Sequence, residues 1–231
     1  MKIAVSVLAN DDHNFAAMVE GCRNTWAKNC PENTKVYFNY GIRYMNTHGI
    51  EVPEDMNVVI IEPDIMVCNS PENYHALLQK TIMSFDALLQ IDDYDYIVRP
   101  NCGSYVNLEL LNEFLQDKPR NGYYAGVPTE HKGVKYASGA CMIFSRDVVQ
   151  YLVENSKELE YDGKIKMDDV AIGDLLNKKY DISEGKRVQI NNEKELEEQF
   201  DPNVYHYYYR SKRNPNLHYK VHKLFKMGVK V

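Results

Sequence analysis

The feature that most constrains this chain is an alternation. Short, nearly continuous apolar runs recur along it, and segments of helical periodicity separate them. Residues 2–9 (KIAVSVLA), 36–40 (VYFNY), 57–62 (NVVIIE), 94–100 (YDYIVRP), 122–127 (GYYAGV) and 140–145 (ACMIFS) have the length and apolar content of strands covered on both faces. Phe15, Met18, Val19, Cys22 and Trp26 recur at helical spacing, as do Leu77, Leu78, Ile82, Phe85 and Leu88, and then Leu108, Leu111, Phe114 and Leu115. Two further helices are read over 145–155 and 167–179. Ser70-Pro71-Glu72 predicts the start of the helix that runs to about Leu89, because serine can cap and proline suits a first turn. Strands alternating with helices imply an α/β fold, a single mostly parallel sheet flanked by helices. Ligands of such sheets bind outside the strands' carboxyl ends.

Composition narrows the function. A 231-residue chain with 27 Lys+Arg against 33 Asp+Glu carries a formal charge of −6, a poor footprint for wrapping nucleic acid, so no nucleic-acid partner is expected. No apolar run reaches the ~18 residues of a membrane span, and MKIAVSVLAN lacks a secretory cleavage site, so a soluble chain is expected. Cys22, Cys30, Cys68, Cys102 and Cys141 are odd in number and show no C-x-x-C spacing, which points to a reducing compartment rather than a disulfide frame or a zinc cage.

Four segments, in order, resemble the β1,3-galactosyltransferase and fringe-like family of GT-A glycosyltransferases. Arg23-Asn24-Thr25-Trp26 is similar to its R-x-T-W, and Tyr74 to Thr81 (YHALLQKT) to its Y-x-N-L-x-x-K-T helix. Tyr136-Ala137-Ser138-Gly139, with Ser145, is similar to Y-x-S-G-x-G-Y-x-x-S, and Asp168-Asp169-Val170-Ala171-Ile172-Gly173 to E-D-V-x-x-G. The resemblance implies one GT-A domain over 1–231: a nucleotide-binding half of about 1–107, an acceptor-binding half of about 108–200 and a basic C-terminal segment, 201–231. It also implies a nucleotide-sugar donor, most simply a UDP-sugar, a glycan acceptor, and inversion at the transferred sugar. Members of the family with a stem or anchor are tethered in the secretory pathway. None precedes the first strand here, so a cytoplasmic site in a bacterial or virus-infected cell is expected.

The chain departs from the family at one place. Where the family ends the strand equivalent to 94–100 in a D-x-D cluster that holds a divalent metal, Asn101, Cys102 and Gly103 follow Pro100, although Val106-Asn107 matches. Small viral and bacterial glycosyltransferases carry a similar R-x-N-x-S-S stretch, and the chain resembles that soluble subgroup most. Mn²⁺ or Mg²⁺ is then expected to rest mainly on the donor diphosphate. Asp64, after NVVIIE, and His206 are the candidate protein ligands. Asp93-Tyr94-Asp95 spells D-x-D but precedes its strand and reads as a solvated turn at the opposite edge.

Sugar transfer needs a base for the acceptor hydroxyl and positive charge or hydrogen-bond donors for the leaving diphosphate. Asp169 is the candidate base and Asp168 its neighbour; the plainer reading of both is helix capping. Donor binding is assigned to Ala9 and Asn10 at the end of the first strand, to Arg23 and Lys80 from the motifs, and to Arg99, Asn101 and Ser104 at the strand end. In the basic tail VYHYYYRSKRNP, Arg210 and Lys212 join them, with Arg213 beside them. Ser138-Gly139 is expected to let backbone approach a sugar, or to be a bulge. Two other readings stay open: a nucleotide-sugar- or glycan-binding protein of the same fold without turnover, and a nucleotidyltransferase, which would need a glycine-rich loop that LANDDHN lacks.

Overall fold

The computed structural model describes residues 1–231 except 52, 54–55, 160–166, 185–187, 191, 202–206, 213 and 228–231. The chain begins with β1 (Ile3–Leu8), α1 (His13–Asn24), β2 (Thr34–Tyr40), α2 (Arg43–His48), β3 (Val58–Glu62) and β4 (Ile65–Cys68). A short 3-10 turn, Tyr74–Ala76, leads into α3 (Leu77–Ile91), then β5 (Tyr96–Pro100), β6 (Ser104–Val106) and α4 (Leu108–Gln116). The second half holds β7 (Tyr124–His131), β8 (Val134–Ser145), α5 (Arg146–Glu154), α6 (Asp168–Leu176), β9 (Ile182–Glu184), β10 (Val188–Gln189), α7 (Glu193–Gln199), β11 (Tyr208–Arg210) and α8 (Pro215–Lys226).

Eight strands form one sheet in the order β3-β4-β2-β1-β5-β8-β7-β9, and β10-β11-β6 form a smaller one. The centre is parallel: β1 pairs with β2 and β5, and β2 with β4. β8 lies antiparallel against both β5 and β7. Side-chain alternation then sorts the core. Ile3, Val5 and Val7 pack with residues of α1, α4 and α8 on one face, while Ala4 and Ile97 pack with residues of α3, α5 and α6 on the other. Arg99, two residues beyond Ile97, lies on the face that carries α6. The chain leaves β1 toward β2 and leaves β5 on the other side, so the carboxyl ends of β1 and β5, joined by a bridge between Leu8 and Asn101, mark the switch point of the sheet.

Several boundaries differ from the sequence reading. The helix expected from Ser70 starts later, because Asn73 is the residue that caps, its side chain accepting from the amides of His75 and Ala76. Pro71 and Glu72 remain in the preceding loop. The strands read at 122–127 and 140–145 are parts of one hairpin whose turn, Lys132-Gly133, has two positive φ values (51° and 82°), as a tight two-residue hairpin turn requires. β4, β6 and α8 were not anticipated. β3 is antiparallel to β4, which places its carboxyl end at the amino end of β4 and away from the cleft edge.

Candidate active site

A cleft of about 710 Å³ opens at the carboxyl ends of β1 and β5. Of the sequence-derived site residues, Ala9, Asn10, Lys80, Arg99, Asn101, Ser138, Gly139, Asp168, Asp169, Arg210 and Lys212 line it. They come from six separate stretches of the chain. A bulge supplies the middle of the site: β8 leaves register with β7 between Ala137 and Met142, which swings Ser138-Gly139-Ala140 over the end of β5. There the Asn101 amide donates to the Ala140 carbonyl at 3.1 Å.

The carboxylates enter on α6. Gly173 lets this helix lie directly on β8, since a Cβ there would come within 2.4 Å of the Tyr136 Cβ. Asp168 and Asp169 therefore start the helix at the cleft wall. Arg99 is 2% exposed and donates both to the Asp168 carboxylate and, at 2.6 Å, to the Gly139 carbonyl. The Gly139 amide in turn donates to Asp169 Oδ2 at 2.8 Å, and the Val170 amide to Oδ1 at 3.0 Å. One residue, Gly139, thus joins Arg99 to Asp169, its carbonyl accepting from the first and its amide donating to the second. A Cβ at residue 139 would stand 2.9 Å from Arg99 Nη1 and 3.0 Å from Asp169 Oδ2, so the glycine makes room for these two side chains. Burial, and next the charge of Asp168, push the Asp169 carboxyl above its ordinary value, while the Gly139 amide and Arg99 oppose the shift.

Lys80 is 1% exposed. It donates to the Ala9 carbonyl at 2.9 Å and pairs with Glu72, whose other oxygen accepts from the Gly41 amide. Arg99 and Lys80, expected to meet the donor, line the cleft and are each held by an internal carboxylate, because a buried charge is tolerable only when paired and hydrogen-bonded. They shape the cleft without offering it free charge. Arg210, half-buried, and Lys212, exposed, have no ion-pair partner among the described residues.

Three expected residues stand elsewhere. Arg23 and Asp64 pair with each other at 2.6 Å, with the Arg23 guanidinium over the Phe38 ring. α1 lines the cleft as far as Met18, and five further residues of helix carry Arg23 about 7.5 Å beyond that point. Asp64 sits in the β3–β4 turn, displaced from the cleft by the antiparallel course of β3. Ser104 is buried, its hydroxyl held between Asn101 Oδ1 (3.0 Å) and the Ala140 carbonyl (2.8 Å). His206 and Arg213 lie outside the described residues. Asp93 and Asp95 stand at the opposite edge, near Arg146 and the amino terminus, as expected of a turn there.

Phe15, Met18, Glu72 and Tyr74, named above for helix periodicity, helix start or motif but not assigned to the site, also line the cleft. Tyr74 is 56% exposed although apolar packing is the usual fate of a tyrosine, and burial followed by Asp168 and Asp169 raises its phenol. Its place at the head of the Y-x-N-L-x-x-K-T resemblance was the available signal.

Divalent metals are common in GT-A glycosyltransferases, and the strand end can be tested for one. Asn101 Oδ1 already accepts from the Gly103 amide (3.1 Å) and the Ser104 hydroxyl. The Cys102 thiol is buried and pushed up to about 11 by that burial, Gly103 has no side chain, and Asp168 is engaged by Arg99. No group of three potential metal-binding side chains exists among the described residues. This donor set does not fit a protein-held Mg²⁺ or Mn²⁺.

Solved structures share the architecture. The apo glycosyltransferase GlyE of Streptococcus pneumoniae TIGR4 matches 100% of the chain over 65% of its own length, with a TM-score of 0.54 and 12% identity. A glycosyltransferase involved in glycosylation of the major capsid of PBCV-1 matches 96% of the chain and 100% of itself, with a TM-score of 0.55 and 8% identity. The galactosyltransferase LgtC, in complex with donor and acceptor sugar analogs, matches 82% and 76%, with a TM-score of 0.50 and 11% identity. The chain thus spans just under two thirds of GlyE. No protein-family model matches it, and no curated protein matches it in sequence. At these identities the likeness is one of fold, and the fold is that of GT-A glycosyltransferases. No helix among the described residues is long and apolar enough to cross a membrane.

Proposed function

We propose that the protein is a glycosyltransferase that moves a sugar from a nucleotide-diphospho-sugar, a UDP-sugar in the first instance, to a hydroxyl of a glycan acceptor. The observation that carries this is Asp169. It is a half-buried carboxylate at the wall of the switch-point cleft, fixed by the Gly139 amide, raised toward the range of a working base and without an ion-pair partner among the described residues. Asp169 takes the acceptor hydroxyl's proton as that oxygen bonds to the anomeric carbon. The bond from that carbon to the diphosphate breaks, and the nucleoside diphosphate leaves. A single displacement of this kind inverts the anomeric centre.

The other walls suit the rest of the ligand. Ala9, Phe15 and Met18 offer an apolar surface to a nucleobase, and the exposed ring of Tyr74 offers a face to a sugar. Thermal-shift screening against UDP-, GDP- and dTDP-sugars, followed by assay of nucleoside diphosphate release, tests the reading. A ligand at ~100 times its Kd adds about 2.7 kcal/mol and is readily seen. Stabilisation and release by one donor support transfer; failure of every donor to bind contradicts it. The carboxylate-free strand end, Asn101 to Gly103, favours a second reading, a nucleotide-sugar-binding protein without turnover. Binding with no release over long incubation with a range of glycan acceptors would establish it.

A further inference from the structure

The cleft holds four cationic side chains of two kinds. Lys80 and Arg99 are buried and each is met by a carboxylate, Glu72 and Asp168. Arg210 and Lys212 face the cleft with no such partner among the described residues. They arrive there by a specific docking of the C-terminal segment. β11 pairs antiparallel with β6, so that Arg210 stands opposite Ser104. The next two residues bend across the strand-end loop. The Ser211 amide donates to the Gly103 carbonyl at 2.9 Å, and the Ser211 hydroxyl approaches the same carbonyl at 3.1 Å. Lys212 turns with a φ of +50°, a conformation disfavoured for a residue with a side chain and held here by the surrounding contacts.

The fit depends on Gly103. A Cβ at that position would lie 2.4 Å from the Lys212 carbonyl oxygen, a backbone atom that cannot step aside without moving the turn. From behind, His218 of α8 is buried with Nε2 2.9 Å from Ser211 Oγ. A neutral imidazole donating from Nε2 leaves the Ser211 proton for the Gly103 carbonyl. The glycine that stands in place of a metal-binding carboxylate is thus the seat on which a basic turn rests.

We infer that the turn Arg210–Lys212 is a diphosphate-binding clamp, carrying the charge of the ligand's diphosphate group at a strand end whose side chains do not fit a divalent metal. Gly103, Ser211 and His218 are its positioning residues. The inference rests on the sugar-transfer reading only in taking the ligand to carry a diphosphate. Arginine grips phosphate oxygens through paired hydrogen bonds and lysine adds a point charge, so neither needs a protein carboxylate to bridge through a cation.

Calorimetric titration with UDP, GDP, dTDP and inorganic pyrophosphate, each with EDTA and with Mn²⁺, tests this without requiring turnover. Arg210→Gln and Lys212→Gln are changes at half-buried and exposed positions and should keep the thermal midpoint. Each is expected to weaken binding roughly tenfold or more at low salt, and less at high salt, where the charge is screened. Gly103→Ala retains both charges, yet is expected to weaken binding several-fold and to flatten the salt dependence. EDTA should change wild-type affinity less than twofold. Affinity that rises tenfold with Mn²⁺ and ignores the Arg210 and Lys212 changes would overturn the clamp while leaving sugar transfer standing. No binding of any nucleoside diphosphate or of pyrophosphate would contradict both.

Discussion

Arg99 donates a hydrogen bond to Asp168 inside the protein, while the adjacent Asp169 has no ion-pair partner among the described residues. Two consecutive carboxylates at the start of one helix are thereby given different work. Asp168 neutralises a buried guanidinium; Asp169 is left without an ion-pair partner, and Gly139, whose carbonyl accepts from Arg99 and whose amide donates to Asp169, ties the first pair to the second.

The buried pair should respond asymmetrically to substitution. Arg99→Met leaves the Asp168 charge unpaired and is expected to lower stability by about 3–5 kcal/mol in urea denaturation. Arg99→Met combined with Asp168→Leu should recover most of that loss, because no buried charge then remains. A single Arg99→Met variant as stable as wild type would show that the pair is not the anchor of the cleft wall.

Turnover should fall on acidification through a pKa above the ordinary carboxylate value of 3.8, since burial and Asp168 raise Asp169 and a base works only when ionised. Asp168→Asn removes a negative neighbour and frees Arg99 to favour the ionised form. It is therefore expected to move the acid limb of the pH–rate profile to lower pH. An unmoved limb would mean that another group titrates. The same shift bears on stability with the opposite sense: the fold disfavours ionised Asp169, a penalty present above the folded pKa and gone once the pH falls below 3.8. Asp169→Asn should therefore keep or raise the thermal midpoint at neutral pH.

His218 makes a contribution of the reverse sign. Burial lowers its pKa to about 4 from 6.5, so between these values the unfolded chain binds a proton that the folded protein refuses. Stability tied to the neutral ring is complete above pH 6.5 and is lost as the pH falls toward 4. His218→Gln should flatten this part of the stability–pH curve measured by chemical denaturation. A curve of unchanged slope would place the acid sensitivity elsewhere.

The sheet's central strands were legible because β1, β2 and β5 are covered on both faces, which leaves an apolar run that little else imitates. Asp169 and Gly139 were legible through the motifs, although the close approach to Arg99 and Asp169 that requires the glycine was not. The short strands were missed because β4 and β6 span only four and three residues, too few to show a period. The internal pairing of Lys80 and Arg99 was hidden for a different reason. Sequence reveals a cation but not the carboxylate it meets, and Glu72 and Asp168 lie 8 and 69 residues away along the chain. α8 was hidden by its charge: His218, Lys220, His222, Lys223 and Lys226 fall in what was expected only to be a basic C-terminal segment, while Leu217 and Val221 carry the buried stripe that docks it.

The most direct measurement compares donor affinity and turnover in wild type and Asp169→Asn, using the nucleotide-sugar that the screen selects. A base acts on the acceptor's proton and not on the diphosphate, so the variant should bind donor within a few-fold of wild type and turn over roughly 10²–10⁴ times more slowly. Turnover by Asp169→Asn at the wild-type rate would contradict the assignment of Asp169 and the mechanism built on it.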